Sequence, residues 1–500
     1  MLPSISPDLS QFKELAKKGN LIPVYAELIA DTETPVTAFS KLDEGGYTFL
    51  FESVEKSEQT GRFSFICLDP HLTIESLGRK IIITQDGKTD TFDCQHDPLA
   101  EVEKIMAQFK YVPLPDEPPE LQSRFNGGAV GFLGYDMIRF FEPTVPAAPK
   151  DELGLPESFF AICRTLLIFD HRTRRLRIVA NAFVENDAIA AYESAVKTIE
   201  SIQAKLARPV NLPTFPITPA PAPANATSNT TREEYMAMVT KGQEYIRSGD
   251  VFQFVPSQRF ETDYSGDPLT LYRSLRFVNP SPYMFYMKFA GRFAFIGSSP
   301  EVHVRAIDSK IQIRPIAGTR RRGANQAEDD ANAAELLADP KERAEHLMLV
   351  DLARNDVGRA STYGSVKVND FMIIERYSHV MHIVSNVEGL LAPDRTPYDV
   401  MRATFPAGTV SGSPKVRAMQ IINELEKSKR GIYAGTVGYF GFDGNSDSCI
   451  VLRTVVLKEG KAYVQAGAGV VADSTPEGEY QETVNKAMGM MAAIARAKAI

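Results

Sequence analysis

The chain contains no tryptophan and only four cysteines in 500 residues. Cys67, Cys94, Cys163 and Cys449 lie far apart, with neither a C-x-x-C pair nor disulfide-scaffold spacing, so they read as thiols of a reducing cytosol. Long apolar runs are also missing. The most apolar stretch, 125–138, is short, glycine-rich and interrupted by Asp136, which is no membrane span. The N-terminal segment carries Asp8, Lys13, Glu14, Lys17 and Lys18 in place of a signal peptide's continuous apolar core. Without secretion, the N-x-T sequons at Asn225 and Asn229 carry no meaning. Basic residues are in deficit: 55 Lys+Arg against 63 Asp+Glu leave a net charge of −8. Such a chain has no global attraction to nucleic acid or to anionic lipid. Any anionic substrate must be held by local cations or a metal. Neither G-x-G-x-x-G nor a P-loop occurs in strand–helix context. The expectation is a soluble, cytoplasmic protein.

What is present is ample apolar content (44%) for a sizeable core. One composition shift divides the chain. Residues 209–231 hold six prolines and no charge, and read as an extended linker or surface loop between regions 1–208 and 232–500. In the first region, alternation and turn residues predict strands at 47–52, 62–68, 80–84, 127–133, 158–170 and 175–180, and helical spacing marks 186–206. The second region opens with a capping box, Thr231 and Glu234, with Gly249 at the far end. Strands are predicted at 251–260, 286–296, 302–307, 310–316, 372–375, 379–388, 435–442, 448–458 and 461–471. Asp339-Pro340 starts one helix and Thr475-Pro476 another. Blocks of strands with helices between them favour α+β with antiparallel sheets.

The two proline-started helices carry carboxylates at helical spacing. Glu342 and Glu345 share a face, as do Glu479, Glu482 and Lys486. Two such faces could clamp a hard cation such as Mg²⁺, which accepts one or two carboxylates and keeps waters for substrate oxygens to replace. Glutamates near helix N-termini equally serve the dipole and solvent. His379 and His382 on a strand would point to opposite faces and cannot chelate one ion. Glycine turns at Gly318-Thr319, Gly412 and Gly467-Ala468-Gly469 could approach an anion, or be ordinary turns.

Taken together, NPSPYMF (279–285), GSSPE (297–301), PIAGTR (315–320), AEHLMLVDLARND (344–356), FPAGTVSGSPK (405–415) and QAGAG (465–469) resemble the chorismate-binding enzymes. The match runs through nearly all of 232–500. FLFESVE (49–55) and GRFSFI (61–66) are similar to the anthranilate synthase large subunits in particular. The resemblance implies two orthogonally packed antiparallel β-sheets flanked by helices, with the site between them. It implies Mg²⁺ held by Glu345 and Glu482, with Glu342 and Glu479 as close partners. Gly318, Thr319, Tyr433, Arg453, Gly467, Ala468, Gly469 and Lys486 would hold the two carboxylates of chorismate, Arg453 in bidentate fashion. Glu301 would be the general acid for a hydroxyl leaving group. His382 would serve the later elimination of pyruvate, and Thr409 would present a substrate-side hydroxyl.

Two positions separate members of this family. Where isochorismate and salicylate synthases place a water-activating lysine, this chain has Gln253, which is no base at neutral pH and suits attack by ammonia. Where aminodeoxychorismate synthases place a covalent lysine, it has Ala317. Both point to the anthranilate synthases. A tryptophan pocket is implied at Ser53, Pro282, Tyr283 and Met284, with Phe51 an aromatic departure that would narrow it. The chain lacks the G-x-C-x-G motif of a glutamine amidotransferase. A separate amidotransferase subunit supplying ammonia, in a heterotetramer, is therefore implied.

Overall fold

A computed structural model of the chain describes residues 4–53, 61–114, 125–148, 150–217, 222–377 and 380–500. Its strands form because apolar residues alternate between two faces. In Tyr283–Phe289, Met284 and Tyr286 join one core, while Phe285, Met287 and Phe289 join another. Gly128–Leu133 divides the same way, with Ala129 and Leu133 on one side and Val130 and Phe132 on the other. The shared inner core is rich in rings: Phe49, Phe132, Phe159, Phe289, Phe293 and Phe295 interlock at centroid separations of 4.5–6.2 Å. Each such buried side chain contributes roughly 1.5–3 kcal/mol of transfer free energy.

Helices cover the two outer faces. Ala188–Leu206, Pro268–Val278 and Pro476–Lys498 pack on one. Pro98–Met106, Pro340–Gly358 and Pro397–Thr404 pack on the other. The result is an α+β architecture of helix, sheet, sheet and helix, with antiparallel ladders throughout. The two facing layers are not separate sheets. Phe63–Leu77 and Ser158–Asp170 pair along most of their length and pass from one layer to the other. Ile66, Leu68, Leu167 and Phe169 pack in the first outer core, and Leu72, Ile74, Phe160 and Ile162 in the second. A register shift between Pro70 and Leu72 marks the passage. Among the described residues, hydrogen bonding therefore joins 22 strands into one system.

Strands from either side of 209–231 pair directly: Tyr47–Glu52 with Tyr283–Phe289, and Gly128–Leu133 with Thr436–Gly441. The described part of the proline-rich segment lies against the body. Leu212 and Ala224 pack on the outer core, Arg273 stacks 4.4 Å over Phe215, and Arg496 Nη2 donates to Pro216 O at 2.7 Å. Among the described residues no helix is long and apolar enough to cross a membrane.

Several expected strands are broken. The run 286–296 is a hairpin, turning through Ala290 and Gly291 at φ 47° and 76°. The run 251–260 splits at Pro256: Gln253–Phe254 pairs with Gly412–Ser413, and Ser257–Asp263 with Lys461–Gly467. Pro315 divides Lys310–Ile313 from Ile316–Arg321. Arg453, at φ 46°, divides Ser446–Ile450 from Thr454–Lys458. Helices Pro35–Leu42, Pro98–Met106, Pro268–Val278 and Pro397–Thr404 were not anticipated. Each announces itself by a Thr or Asp cap followed by proline.

Candidate active site

The helix Pro340–Gly358 starts where the Asp339 carboxylate accepts from Lys341 N at 2.9 Å and Glu342 N at 3.2 Å. Val350, Ala353 and Val357 anchor its later turns in the core, and Glu342 and Glu345 stand half-buried in its first two turns. Thr475 caps Pro476–Lys498, whose Ala487, Met490 and Ile494 are anchored in the opposite outer core. The first two turns of each helix come near enough to the other for their charged side chains to act on one another. Burial raises the Glu345 carboxyl above its ordinary value, and the negative charges of Glu342 and Glu482 raise it further against the bond from Gln253. Gln253 Nε2 donates to Glu345 Oε1 at 3.2 Å. Glu479 is likewise raised, first by burial and then by Glu482, against a bond from Ser474 and the charges of Lys486 and Lys341.

Glu301 follows the strand Phe293–Ser299, its backbone pinned by Ile450 N at 3.1 Å. Thr409 Oγ1 donates to its Oε1 at 2.9 Å. Burial pushes its carboxyl up to about 7, although the Thr409 bond and the charges of Lys486 and Arg453 oppose the rise. A carboxyl held there is a competent proton donor at neutral pH.

His382 lies on Val380–Leu390, its Nδ1 2.8 Å from Gly318 O and 3.1 Å from Thr319 Oγ1. A carbonyl only accepts, so Nδ1 carries the proton and Nε2 is left as acceptor. Burial lowers the pKa of His382, and the Arg453 charge adds to that, against the Gly318 bond and the charge of Glu375. His379 lies outside the described residues. Gly318 sits at φ 64° in a bulge, where a Cβ would stand 3.0 Å from Leu336 and 3.1 Å from Glu342 Oε2. A Cβ on Gly467 would stand 2.7 Å from the Tyr433 hydroxyl, and one on Gly469 would stand 2.7 Å from Gln253 Nε2. Lys486 Nζ joins Gly467 O at 3.1 Å to Glu482 at 2.7 Å. Ala468 is buried, its N–H on Pro256 O at 3.2 Å.

These contacts and mutual charge effects place Glu301, Thr409, Gln253, Glu342, Glu345, Gly318, Thr319, His382, Arg453, Tyr433, Gly467, Gly469, Glu479, Glu482 and Lys486 near one another, and the segment 279–285 apart from them. Ser53, Pro282, Tyr283 and Met284 gather elsewhere, on a cavity of about 1190 Å³. Phe51 lines that cavity without closing it, and residues 54 and 55 of FLFESVE lie outside the described residues. Ser53 Oγ is buried with no hydrogen-bond partner among them. Sequence reasoning missed the partners behind the site: Arg320, 3.2 Å from Glu342, and the buried pair Glu426–Arg430. Their charges sit off the motifs' chemistry-bearing positions, and only the helical i,i+4 spacing of Glu426 and Arg430 hints at a pair.

A family model described as chorismate binding enzyme matches residues 48–492. The chain belongs to the chorismate-binding enzymes. Anthranilate synthase component 1 of Acetivibrio thermocellus is 46% identical over 98% of this chain and 99% of its own length. That of Aquifex aeolicus is 46% identical over 98% of each. The crystal structure of anthranilate synthase component I from Streptococcus pneumoniae TIGR4 superposes at a TM-score of 0.76, with 36% identity over 93% of this chain and 99% of the other. MenF, an isochorismate synthase from Escherichia coli, shares the fold at a TM-score of 0.70 and 18% identity, covering 97% of this chain and 98% of the other. Among chorismate-binding enzymes, this one is of the anthranilate synthase type.

The carboxylates fit a magnesium ion. They are hard oxygen donors on two neighbouring helices, mutually repelled, and among the described residues Glu479 Oε2 is buried without a partner. Among the described residues no three His, Cys, Asp or Glu side chains form a ready-made cage. Two carboxylates completed by water and substrate oxygens is the set Mg²⁺ ordinarily takes.

Proposed function

We propose that this chain converts chorismate and ammonia to anthranilate and pyruvate by way of aminodeoxyisochorismate, committing chorismate to tryptophan synthesis. The observation that carries this reading is Glu301, which accepts from Thr409 Oγ1 at 2.9 Å near the charges of Arg453 and Lys486, with burial pushing its carboxyl up to about 7. Arg453 and Lys486, with the Gly467–Gly469 loop, Tyr433 and Gly318-Thr319, hold the substrate's two carboxylates. Glu345 and Glu482, backed by Glu342 and Glu479, would hold magnesium, which supplies positive charge against the ring carboxylate.

Ammonia forms a bond to ring C2 while the C4–oxygen bond breaks. Glu301 delivers its proton to the departing oxygen, so that water leaves rather than hydroxide. Gln253, an amide where a base would be needed, cannot activate water, which favours ammonia as nucleophile. In the second step the C2 proton is lost, the C3–oxygen bond breaks and the ring becomes aromatic. Neutral His382, with Nδ1–H committed to Gly318 O, offers Nε2 to that proton. The departing enolpyruvate takes a proton at its methylene carbon and becomes pyruvate.

Ammonia comes from a separate glutamine amidotransferase subunit in a symmetric heterotetramer. All four cysteines here are buried, and burial raises the thiols of Cys67, Cys94 and Cys449, the reverse of an activated nucleophile. Tryptophan binds at Ser53, Pro282, Tyr283 and Met284 and inhibits. The pure chain with chorismate and Mg²⁺ is expected to release fluorescent anthranilate and pyruvate together from ammonium salts, and none from glutamine. Turnover without pyruvate release would sink the assignment.

A further inference from the structure

Behind the proposed substrate loops lies a buried ion pair. Glu426, at the end of helix Lys415–Leu425, and Arg430 are 7% and 3% exposed. Arg430 Nε donates to Glu426 Oε2 at 2.9 Å and Nη2 to Oε1 at 2.6 Å, a bidentate fork. The remaining contacts reach outward to segments distant in sequence. Arg430 Nη1 donates to Val410 O at 2.9 Å, beside Thr409, the hydrogen-bond donor to Glu301. Nη2 also donates to Val255 O at 2.6 Å, two residues past Gln253. The guanidinium lies 4.6 Å from the Tyr135 ring centroid and 5.6 Å from that of Tyr433. Glu426 Oε1 also accepts from Ser257 N at 2.7 Å and Ser257 Oγ at 2.8 Å, and Ser257 pairs across the ladder with Gly467.

One charge pair thus holds the backbone at Val410 beside Thr409, at Val255 beside the Gln253 strand and at Ser257 opposite Gly467, and packs its guanidinium near the Tyr433 ring. Removing two charges from water is costly, and well-packed apolar residues of similar volume often stabilise a fold as well or better. Stability alone does not account for an ion pair here. What apolar side chains cannot do is donate to Val410 O, Val255 O and the fork while accepting from Ser257. We propose that Glu426 and Arg430 are positioning residues, which fix the Thr409 turn and the Gln253–Ser257 segment around the reacting ring without touching it. The inference rests on the proposed reaction for its kinetic readout only.

The test is a set of full-length variants: Arg430→Lys, Glu426→Gln and the double apolar variant Glu426→Leu/Arg430→Met. Arg430→Lys keeps the charge but loses the fork, and small displacements of reacting groups cost about 10²-fold in rate. The expected result is kcat down about that much with KM for chorismate changed a few-fold at most, and a milder loss in Glu426→Gln. The double variant leaves Val410 O, Val255 O and the Ser257 N–H without their partners, so it is expected to fold with a lowered melting temperature and to stay slow. A readout free of substrate accompanies it: NMR titration of ¹³C-labelled glutamate in the resting protein. Slippage of the Thr409 turn would move the Glu301 titration to higher pH. A folded double variant with wild-type kcat, or with an unmoved Glu301 titration, would overturn the proposal. Wild-type protein inert towards chorismate and ammonium would instead strike the proposed function, leaving the titration to judge the pair.

Discussion

At the scale of single residues, Glu301 carries opposed demands. Its carboxyl is raised to about 7 from the ordinary 4.5 by burial. A group raised on folding contributes stability that is whole below 4.5 and is lost as pH climbs through 7. Glu301→Gln is therefore expected to melt higher than wild type above about pH 8 and to lose that advantage near the ordinary value, measured by calorimetry across pH. The same variant should lose roughly 10²–10⁴ in kcat, since no proton reaches the leaving hydroxyl. Thr409→Val gives a subtler outcome. It removes a bond that favours the carboxylate, so Glu301 stays protonated further, and the alkaline limb of the kcat–pH profile moves up. A limb that moves down would contradict the assigned donor. Of this chemistry, the sequence disclosed the residue types through long matching strings. It could not disclose the poise of Glu301 or the tautomer of His382, which depend on burial and on Gly318 O, contributed from a neighbouring strand.

At the scale of elements, what was legible followed from local rules, and what was not followed from breaks imposed by tertiary pairing. The cap and proline of Asp339-Pro340 and Thr475-Pro476 announced both carboxylate-bearing helices. Periodicity alone ran 251–260 and 448–458 straight through, because apolar residues continue on both sides of each break. The breaks place Gln253 on its own small pairing with Gly412–Ser413 and set Arg453 at φ 46° between two strands, so irregular backbone falls where the site is built. The nearness of the two helices has its own consequence. Glu345 and Glu479 are raised by burial together with neighbouring negative charge. A divalent cation that relieves this repulsion binds the folded state alone and should raise the melting temperature with increasing Mg²⁺ until saturation. Glu345→Gln with Glu482→Gln should abolish that dependence while melting no lower without metal. A metal-independent melting curve for the wild type would argue against the site.

At the scale of the whole molecule, two separate spaces share one hairpin. Tyr283, on the wall of the large cavity, pairs across the ladder with Ser299, whose hydroxyl lies 3.4 Å from Glu301 N and donates to Ile450 O at 2.6 Å. Ser298, beside it, takes the carbonyl of Arg453 at 3.1 Å through its N–H. A ligand that shifts Tyr283–Phe289 would therefore be felt at the strands flanking Glu301 and Arg453, the proposed acid and the proposed substrate arginine. The Tyr283 hydroxyl is itself braced, donating to Asp447 at 2.9 Å and accepting from Arg305 Nε at 3.0 Å. That bracing makes Tyr283 a costly place to probe. Ser53 is the better choice. Its hydroxyl is buried on the cavity wall and, among the described residues, meets no partner, so Ser53→Ala removes a desolvated group without breaking a bond there. Stability should hold or rise slightly, since a buried unsatisfied hydroxyl is a cost of about 1–3 kcal/mol. If the hydroxyl binds the ammonium or carboxylate of tryptophan, its loss forfeits a charge-assisted bond of about 1.5–3 kcal/mol, or roughly ten-fold or more in half-inhibiting concentration. Turnover without tryptophan should be unchanged, because Ser53 makes none of the contacts around Glu301. Inhibition that persists undiminished in Ser53→Ala, with kcat also intact, would place tryptophan elsewhere than this cavity.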